Sequence, residues 1–280
     1  MMDIPIEVRE FIKRALTEDI GHGDLTTNLT IDQTSSCQAR VISKDKMIIA
    51  GLPFFCEVFN QVDPSIKISI DINDGKTANY GEIIVKLIGN TASILKGERV
   101  ALNILQRLCG VATMTMGLVQ RLEGLKVKVV DTRKTTPCMR FMEKYAVRIG
   151  GGYNHRYGLF DGILIKDNHI KASGGIINAV KKARLCHHLL KIEVEVSNFD
   201  ELDQAIIAGA DVIMLDNMSC SDMKKAVDIV RSSDKAILIE ASGNVTIDNI
   251  RDIGMTGVDI ISAGCLTHSV KAGDISLKIV

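Results

Sequence analysis

The 280-residue sequence predicts an α/β protein, the larger part of it an irregular, incomplete α/β barrel. Three observations predict it. Beyond Leu125, six short runs rich in Ile and Val recur: VKVVDT, GILIKD, KIEVEV, DVIMLDN, AILIEAS and VDIISAG. Amphipathic segments separate most of them, among them GGIINAVKKARL, FDELDQAIIAGA and SDMKKAVDIVRS. Such alternation is that of right-handed β-α units building a parallel sheet. The last four strands also follow one another closely, which suits a barrel better than an open sheet, although six strands are too few to close a regular one.

Ahead of this region the elements are mixed. Ile6 to Ala15 carries an amphipathic helical pattern, and GHGDLTT, Gly21 to Thr27, reads as a polar loop. QARVISKDKMIIAG and IKISIDINDGKTANYGEIIVKLIGN show strand-like alternation, broken at Asn73-Asp74-Gly75. GERVALNILQRLCGVATMTMGLVQRLEG repeats apolar residues at helical spacing and predicts one long helix.

Composition narrows the function classes. Lysine plus arginine (34) balances aspartate plus glutamate (34), so no overall field draws the chain to nucleic acid or to an anionic membrane. Neither is expected as a partner, and any anion binding must come from local arrangement. The seven cysteines are scattered without a C-x-x-C pair, which predicts free thiols in a reducing compartment. MMDIPIEVREFIKRALTEDIG is charged throughout and lacks an apolar signal core; no stretch reads as long enough to cross a bilayer, and the cytoplasm is the expected location.

Function is concentrated where the later strands end. Each closes on a polar or charged cluster: Arg133-Lys134, Lys166-Asp167-Asn168, Glu193 with Glu195, Asp216-Asn217, Glu240 to Gly243, and Ser262 to Gly264. In barrels of β-α units the carboxyl ends of the strands share one face, and that face holds the active site. Polar residues also simply begin loops, which accounts for Asp167 or Asn217. It does not account for Glu193 and Glu195, two apart on a strand buried on both sides. Two carboxylates there cost several kcal/mol each unless cations or a metal offset them.

The cations are at hand. Arg133, Lys134, His155, Arg156 and Lys166 fall at strand ends or in the loop GGGYNHRYG, where arginine's planar fork suits carboxylate or phosphate and lysine acts as a point charge. Arg140, Lys144 and Arg148 read instead as the solvated face of a helix, and His187 and His188 as surface residues. EASGNV and SAGCLTHS, after the last two strands, place Ser242, Gly243, Asn244 and Gly264 where backbone N–H groups can cradle a phosphate. Glu195 and Asp216, facing these cations, can bind Mg²⁺ through its waters, hold sugar hydroxyls, or stabilise a developing positive charge. These residues together predict an enzyme acting on a small, phosphorylated polyanion. They leave the reaction open, with a Schiff-base aldolase using Lys134 or Lys166 and a non-catalytic nucleotide-binding regulator as alternatives.

DTRKTTP, EKYAVRIGGGYNHRYGLFDGILIKDNHI, EVEV, IMLDNM, EASGNV and SAGCLTHS, with GDLTT near the start, together resemble the quinolinate phosphoribosyltransferase family in order along nearly the whole chain. The resemblance implies an N-terminal α/β sandwich domain (1–112, joined by the tail 268–280) and a barrel domain (113–267). It implies conversion of quinolinate and phosphoribosyl pyrophosphate, with Mg²⁺, to nicotinate mononucleotide, pyrophosphate and carbon dioxide in NAD biosynthesis. It further implies a homodimer, or an assembly of dimers, with Arg99 of GERVALN entering the neighbour's site. By motif, Arg133, His155 and Arg156 take the quinolinate carboxylates, Thr132 is a further substrate-binding residue, and Lys134 and Lys166 lie between the substrates. Glu195 and Asp216 meet ribose and metal, and Ser242, Gly243, Asn244, Ser262 and Gly264 take the 5′-phosphate. Cys138, Cys109 and Cys265 depart from the pattern, where glycine, serine and alanine respectively are expected.

Overall fold

The computed structural model describes residues 3–280. In chain order the elements are α1 (Ile6–Ile20), α2 (Leu25–Thr30), β1 (Ser36–Ser43), β2 (Met47–Ile48), α3 (Leu52–Val62), β3 (Lys67–Ile70), β4 (Thr77–Ala78), β5 (Ile83–Asn90) and α4 (Thr91–Arg121). There follow β6 (Lys128–Val130), α5 (Arg140–Ile149), β7 (Ile163–Ile165), α6 (Asp167–Ser173), α7 (Ile176–Ala183), β8 (Ile192–Val196), α8 (Phe199–Ala208) and β9 (Val212–Asp216). The chain ends with α9 (Cys220–Ser232), β10 (Leu238–Ser242), α10 (Ile250–Met255), β11 (Ile260–Ser262), α11 (Cys265–His268) and β12 (Ile275–Ile279). Two compact units result. One takes residues up to Met116 with Thr135–Gly151 and Ser269–Val280; the other takes Gly117–Lys134 and Gly152–His268.

The first unit is built on an antiparallel sheet in the order β12-β1-β5-β3. Ala39 faces Leu87 and Val41 faces Val85 across β1 and β5, and all four are buried, while the intervening Arg40 and Lys86 are exposed. This alternation buries one face of the sheet. Phe54, Phe55 and Phe59 of α3 and Leu102, Leu105 and Leu108 of α4 complete the core. Each such side chain contributes roughly 1.5–3 kcal/mol on burial.

Several local expectations need correction here. GHGDLTT is only partly a loop, because Asp24 caps α2 by accepting the backbone N–H of Thr27 at 2.9 Å. Helix α3, absent from the sequence reading, starts at Gly51-Leu52-Pro53, where Pro sits in the first turn. Helix α4 is long and apolar enough to cross a membrane by length and composition, contrary to expectation. Its apolar residues Ala101, Leu105, Leu108 and Val111 are fully buried within the protein, so its hydropathy is that of a core helix. Nor is the cationic face of α5 wholly solvated: Lys144 is buried and Arg148 is exposed. Within this unit Tyr145 meets Phe54 edge-on at 5.3 Å and donates its hydroxyl to Asp74 at 2.7 Å.

The second unit is the incomplete barrel. Its six strands lie parallel in the order β6-β11-β10-β9-β8-β7, and they are the six runs the sequence singled out. Most of their residues are buried, as expected for strands covered on both faces. Beyond the edge of β6, a single parallel bridge joins Val130 to Tyr153 and brings the glycine-rich loop against that strand.

Candidate active site

Parallel register aligns the strand ends. Ser242 of β10 stands opposite both Asp216 of β9 and Ser262 of β11, so three polar residues form one row at the rim. Inside that rim lies a cavity of about 460 Å³. The segment after β6 lines it with Thr132, Arg133 and Lys134, and the loop after Tyr153 with His155 and Arg156. Lys166, Glu195 and Asp216 enter from β7, β8 and β9. Ser242, Gly243, Asn244 and Ser262 close it from β10 and β11. Gly264 is not a lining residue; a Cβ there would stand 3.1 Å from the Lys134 Cδ, so glycine leaves room for that stem. Arg99 is exposed on α4 in the first unit and does not line this cavity.

Local hydrogen bonds explain why these side chains converge. Asp131, fully buried, accepts the backbone N–H of His155 at 2.9 Å and the Asn154 amide at 2.6 Å, locking the loop to the end of β6. Asp161 accepts the N–H groups of Tyr157 and Gly158 at 2.6 and 2.8 Å, and Arg156 donates to the Gly162 carbonyl at 3.0 Å. The Lys166 N–H donates to the His169 ring at 3.0 Å at the start of α6. Thr267 donates its hydroxyl to the Lys134 carbonyl at 2.8 Å. Sequence reasoning missed Asp131, Asp161 and His169 because short polar residues around a loop look alike until their partners are known.

The charges are unevenly compensated. Lys166 Nζ lies 2.5 Å from Glu195 Oε2, an ion pair across β7 and β8. Burial, and then the neighbouring Arg133, pull the Arg156 pKa below the ordinary guanidinium value, with Glu193 and Asp161 opposing. Two arginines close enough to repel each other form a site ready for an anion.

Below the rim lies a group that the sequence reading did not join together, and in which Glu240 had no assigned role. His155, Glu193 and Glu240 present ligand-type atoms within 4.8 Å of one another, and both glutamates are buried. His155 Nε2 is 3.0 Å from Glu193 Oε2 and 3.6 Å from Glu240 Oε2, while its Nδ1 accepts the Arg156 backbone N–H at 2.8 Å. Both ring nitrogens are thus engaged within the protein. Oε1 of Glu193 and Oε1 of Glu240 are buried without a hydrogen-bond partner. Burial beside another carboxylate disfavours the charged form of a carboxyl group. Burial, and next the Glu193 carboxylate, accordingly push Glu240 from 4.5 up to about 8.

This shift fixes a pH dependence. Between about 4.5 and about 8 the native state keeps a proton that the unfolded chain gives up. The associated stability is fully present below the lower value and is lost as the pH rises through the upper one. Glu240→Gln keeps the shape and cannot ionise, so its stability advantage over the wild type grows across that window. Denaturant unfolding at a series of pH values checks this; parallel pH profiles for the two proteins contradict it.

With the geometry in place, comparison with known proteins gives the family. The model for the quinolinate phosphoribosyl transferase N-terminal domain matches residues 24–109, and that for the C-terminal domain matches residues 111–278. A probable nicotinate-nucleotide pyrophosphorylase (carboxylating) of Bacillus subtilis is 45% identical over 275 residues, spanning 98% of this chain and 94% of that protein. A chloroplastic nicotinate-nucleotide pyrophosphorylase of Arabidopsis thaliana is 41% identical, over 98% of this chain and 83% of its own. The solved nicotinate-nucleotide pyrophosphorylase of Francisella tularensis superposes with a TM-score of 0.94 at 44% identity, over 99% of this chain and 98% of that one. Two domain models in tandem and relatives aligned almost end to end leave one assignment: the chain belongs to the quinolinate phosphoribosyltransferase family.

Proposed function

We propose that the cavity at the strand ends carries the reaction of the family. The chain is a nicotinate-nucleotide pyrophosphorylase (carboxylating) of NAD biosynthesis, with quinolinate and phosphoribosyl pyrophosphate as substrates. One observation carries the assignment of the site: Arg133, Lys134, Arg156 and Lys166 line a single cavity together with Glu195 and Asp216. A pyridine bearing two carboxylates, beside a sugar bearing phosphates, needs that concentration of cations.

The roles follow from chemistry and position. Arg133 and Arg156 take the carboxylates of quinolinate, with Thr132 beside them. His155, which lines the cavity with its Nε2 against Glu193, supports Arg156 by accepting that residue's backbone N–H at Nδ1. The ring nitrogen attacks the anomeric carbon, and the bond to pyrophosphate breaks with its electron pair leaving on pyrophosphate. Positive charge builds on the ribose as this happens, and the carboxylates of Glu195 and Asp216 stabilise it. Lys134 and Lys166 neutralise the departing pyrophosphate. Quaternising the ring nitrogen gives the carboxylate beside it an electron sink, so carbon dioxide leaves and the ring carbon takes up a proton. Ser242, Gly243, Asn244 and Ser262, which line the cavity, receive the 5′-phosphate, and Gly264 beside them leaves room for the Lys134 stem. Mg²⁺ fits the pair Glu195 and Asp216, because both are hard oxygen donors on adjacent strands, and when bound it offsets pyrophosphate charge.

The test is incubation with quinolinate, phosphoribosyl pyrophosphate and Mg²⁺, following loss of quinolinate and release of carbon dioxide. Arg133→Ala should weaken quinolinate binding by at least about thirtyfold, leaving phosphoribosyl pyrophosphate affinity largely intact. Equal loss of both affinities contradicts the carboxylate role.

The same reading places the protein in the cytoplasm as a homodimer, or as an assembly of dimers, with Arg99 completing the neighbour's site. It is supported by the exposure of Arg99 on α4. Mixing inactive Arg99→Ala with inactive Lys134→Ala subunits should restore part of the activity. No recovery, with subunit exchange demonstrated by mass, contradicts shared sites.

A further inference from the structure

Asn217 follows Asp216 at the end of β9 and has φ 54, in the left-handed region that few residues other than glycine adopt. Its side chain works in two directions. Nδ2 donates to Asp216 Oδ2 at 2.9 Å, and Oδ1 accepts the Asn244 Nδ2 at 3.1 Å. Its backbone N–H donates to the Ser242 carbonyl at 2.9 Å. The loop after β10 is shaped to receive it. Gly243 has φ 102, and a Cβ there would land on the Asn217 Oδ1, so only glycine fits. Asn244 is also left-handed, at φ 47, and its carbonyl accepts the Asn249 Nδ2 at 2.9 Å. Two left-handed asparagines joined side chain to side chain across neighbouring strand ends, over a glycine that alone leaves room for them, point to a specific task.

We propose that Asn217 is a positioning residue that ties the Asp216 carboxylate to the loop Ser242–Asn244. Through this bracket the groups meeting the ribose and those meeting the 5′-phosphate are set at one fixed separation. This rests on the assignment of Asp216 and of that loop to phosphoribosyl pyrophosphate. By fixing which Asp216 oxygen is engaged, Nδ2 leaves the other aimed for ribose or cation. By accepting from Asn244, Oδ1 holds the phosphate loop before substrate arrives, so less ordering is needed on binding. The bracket lies on the sugar-phosphate side and serves that substrate, not the pyridine.

Asn217→Gly isolates the side chain, since glycine accepts the left-handed backbone without strain. Steady-state kinetics should show the KM for phosphoribosyl pyrophosphate raised and kcat lowered, together costing roughly tenfold or more in kcat/KM, as for loss of a hydrogen bond to a charged group. The KM for quinolinate should stay within about twofold, and the melting temperature should hold. Asn217→Gly kinetics matching the wild type overturn the proposal. So does an equal rise in both KM values with a lowered melting temperature, the mark of a merely structural residue. A wild-type protein that does not turn over quinolinate at all overturns instead the assignment beneath it, so the two failures are told apart.

Discussion

Everything in this molecule turns on holding like charges together. Arg133, Lys134, Arg156 and Lys166 come from three separate places in the barrel unit and share one cavity. Left alone, such groups repel, and partial burial sharpens the repulsion because less water screens it. The protein meets the cost in part with its own carboxylates. Glu195 pairs with Lys166, and Glu193 stands against His155. An anionic substrate entering the cavity adds further compensating charge beside these cations.

Holding that arrangement demands rigidity, and the parallel strands supply it. Hydrogen-bonded register fixes Asp216, Ser242 and Ser262 in one row before any ligand arrives. The loops are secured by buried or bracketing polar side chains: Asp131 beneath the His155 loop, Asp161 under its far end, Asn217 between two strand ends. The pairing of Glu240 with Glu193 belongs to the same scaffold. It sets a neutral carboxylic acid under a cationic rim, where a second full negative charge would otherwise cancel the field the site needs.

Much of this was legible in the sequence because parallel strands buried on both faces read as continuous Ile and Val runs, and all six barrel strands stood out that way. The site residues were legible for a related reason: Lys166, Glu195 and Asp216 are charges placed where an apolar run should simply end. What the sequence hid depends on neighbours across space. Nothing local distinguishes Lys144, which is buried, from Arg148, which is exposed one turn away. Glu240 looked like the start of a polar cluster, and its raised pKa comes from burial beside a carboxylate far along the chain. Helix α3 went unread because its apolar face, rich in Phe, carries a Gly-Leu-Pro opening that resembles a turn. Cys138 sits at φ 63, a left-handed position that explains why glycine is expected there, although only coordinates reveal the angle.

The most direct test of the charge-convergence account is calorimetric titration of quinolinate and of nicotinate, each with and without phosphoribosyl pyrophosphate, at rising salt. The account predicts that quinolinate binds, that affinity falls as salt screens the arginines, and that nicotinate, lacking one carboxylate, binds far more weakly. Equal affinity for the two acids, or indifference of quinolinate binding to salt, would contradict it.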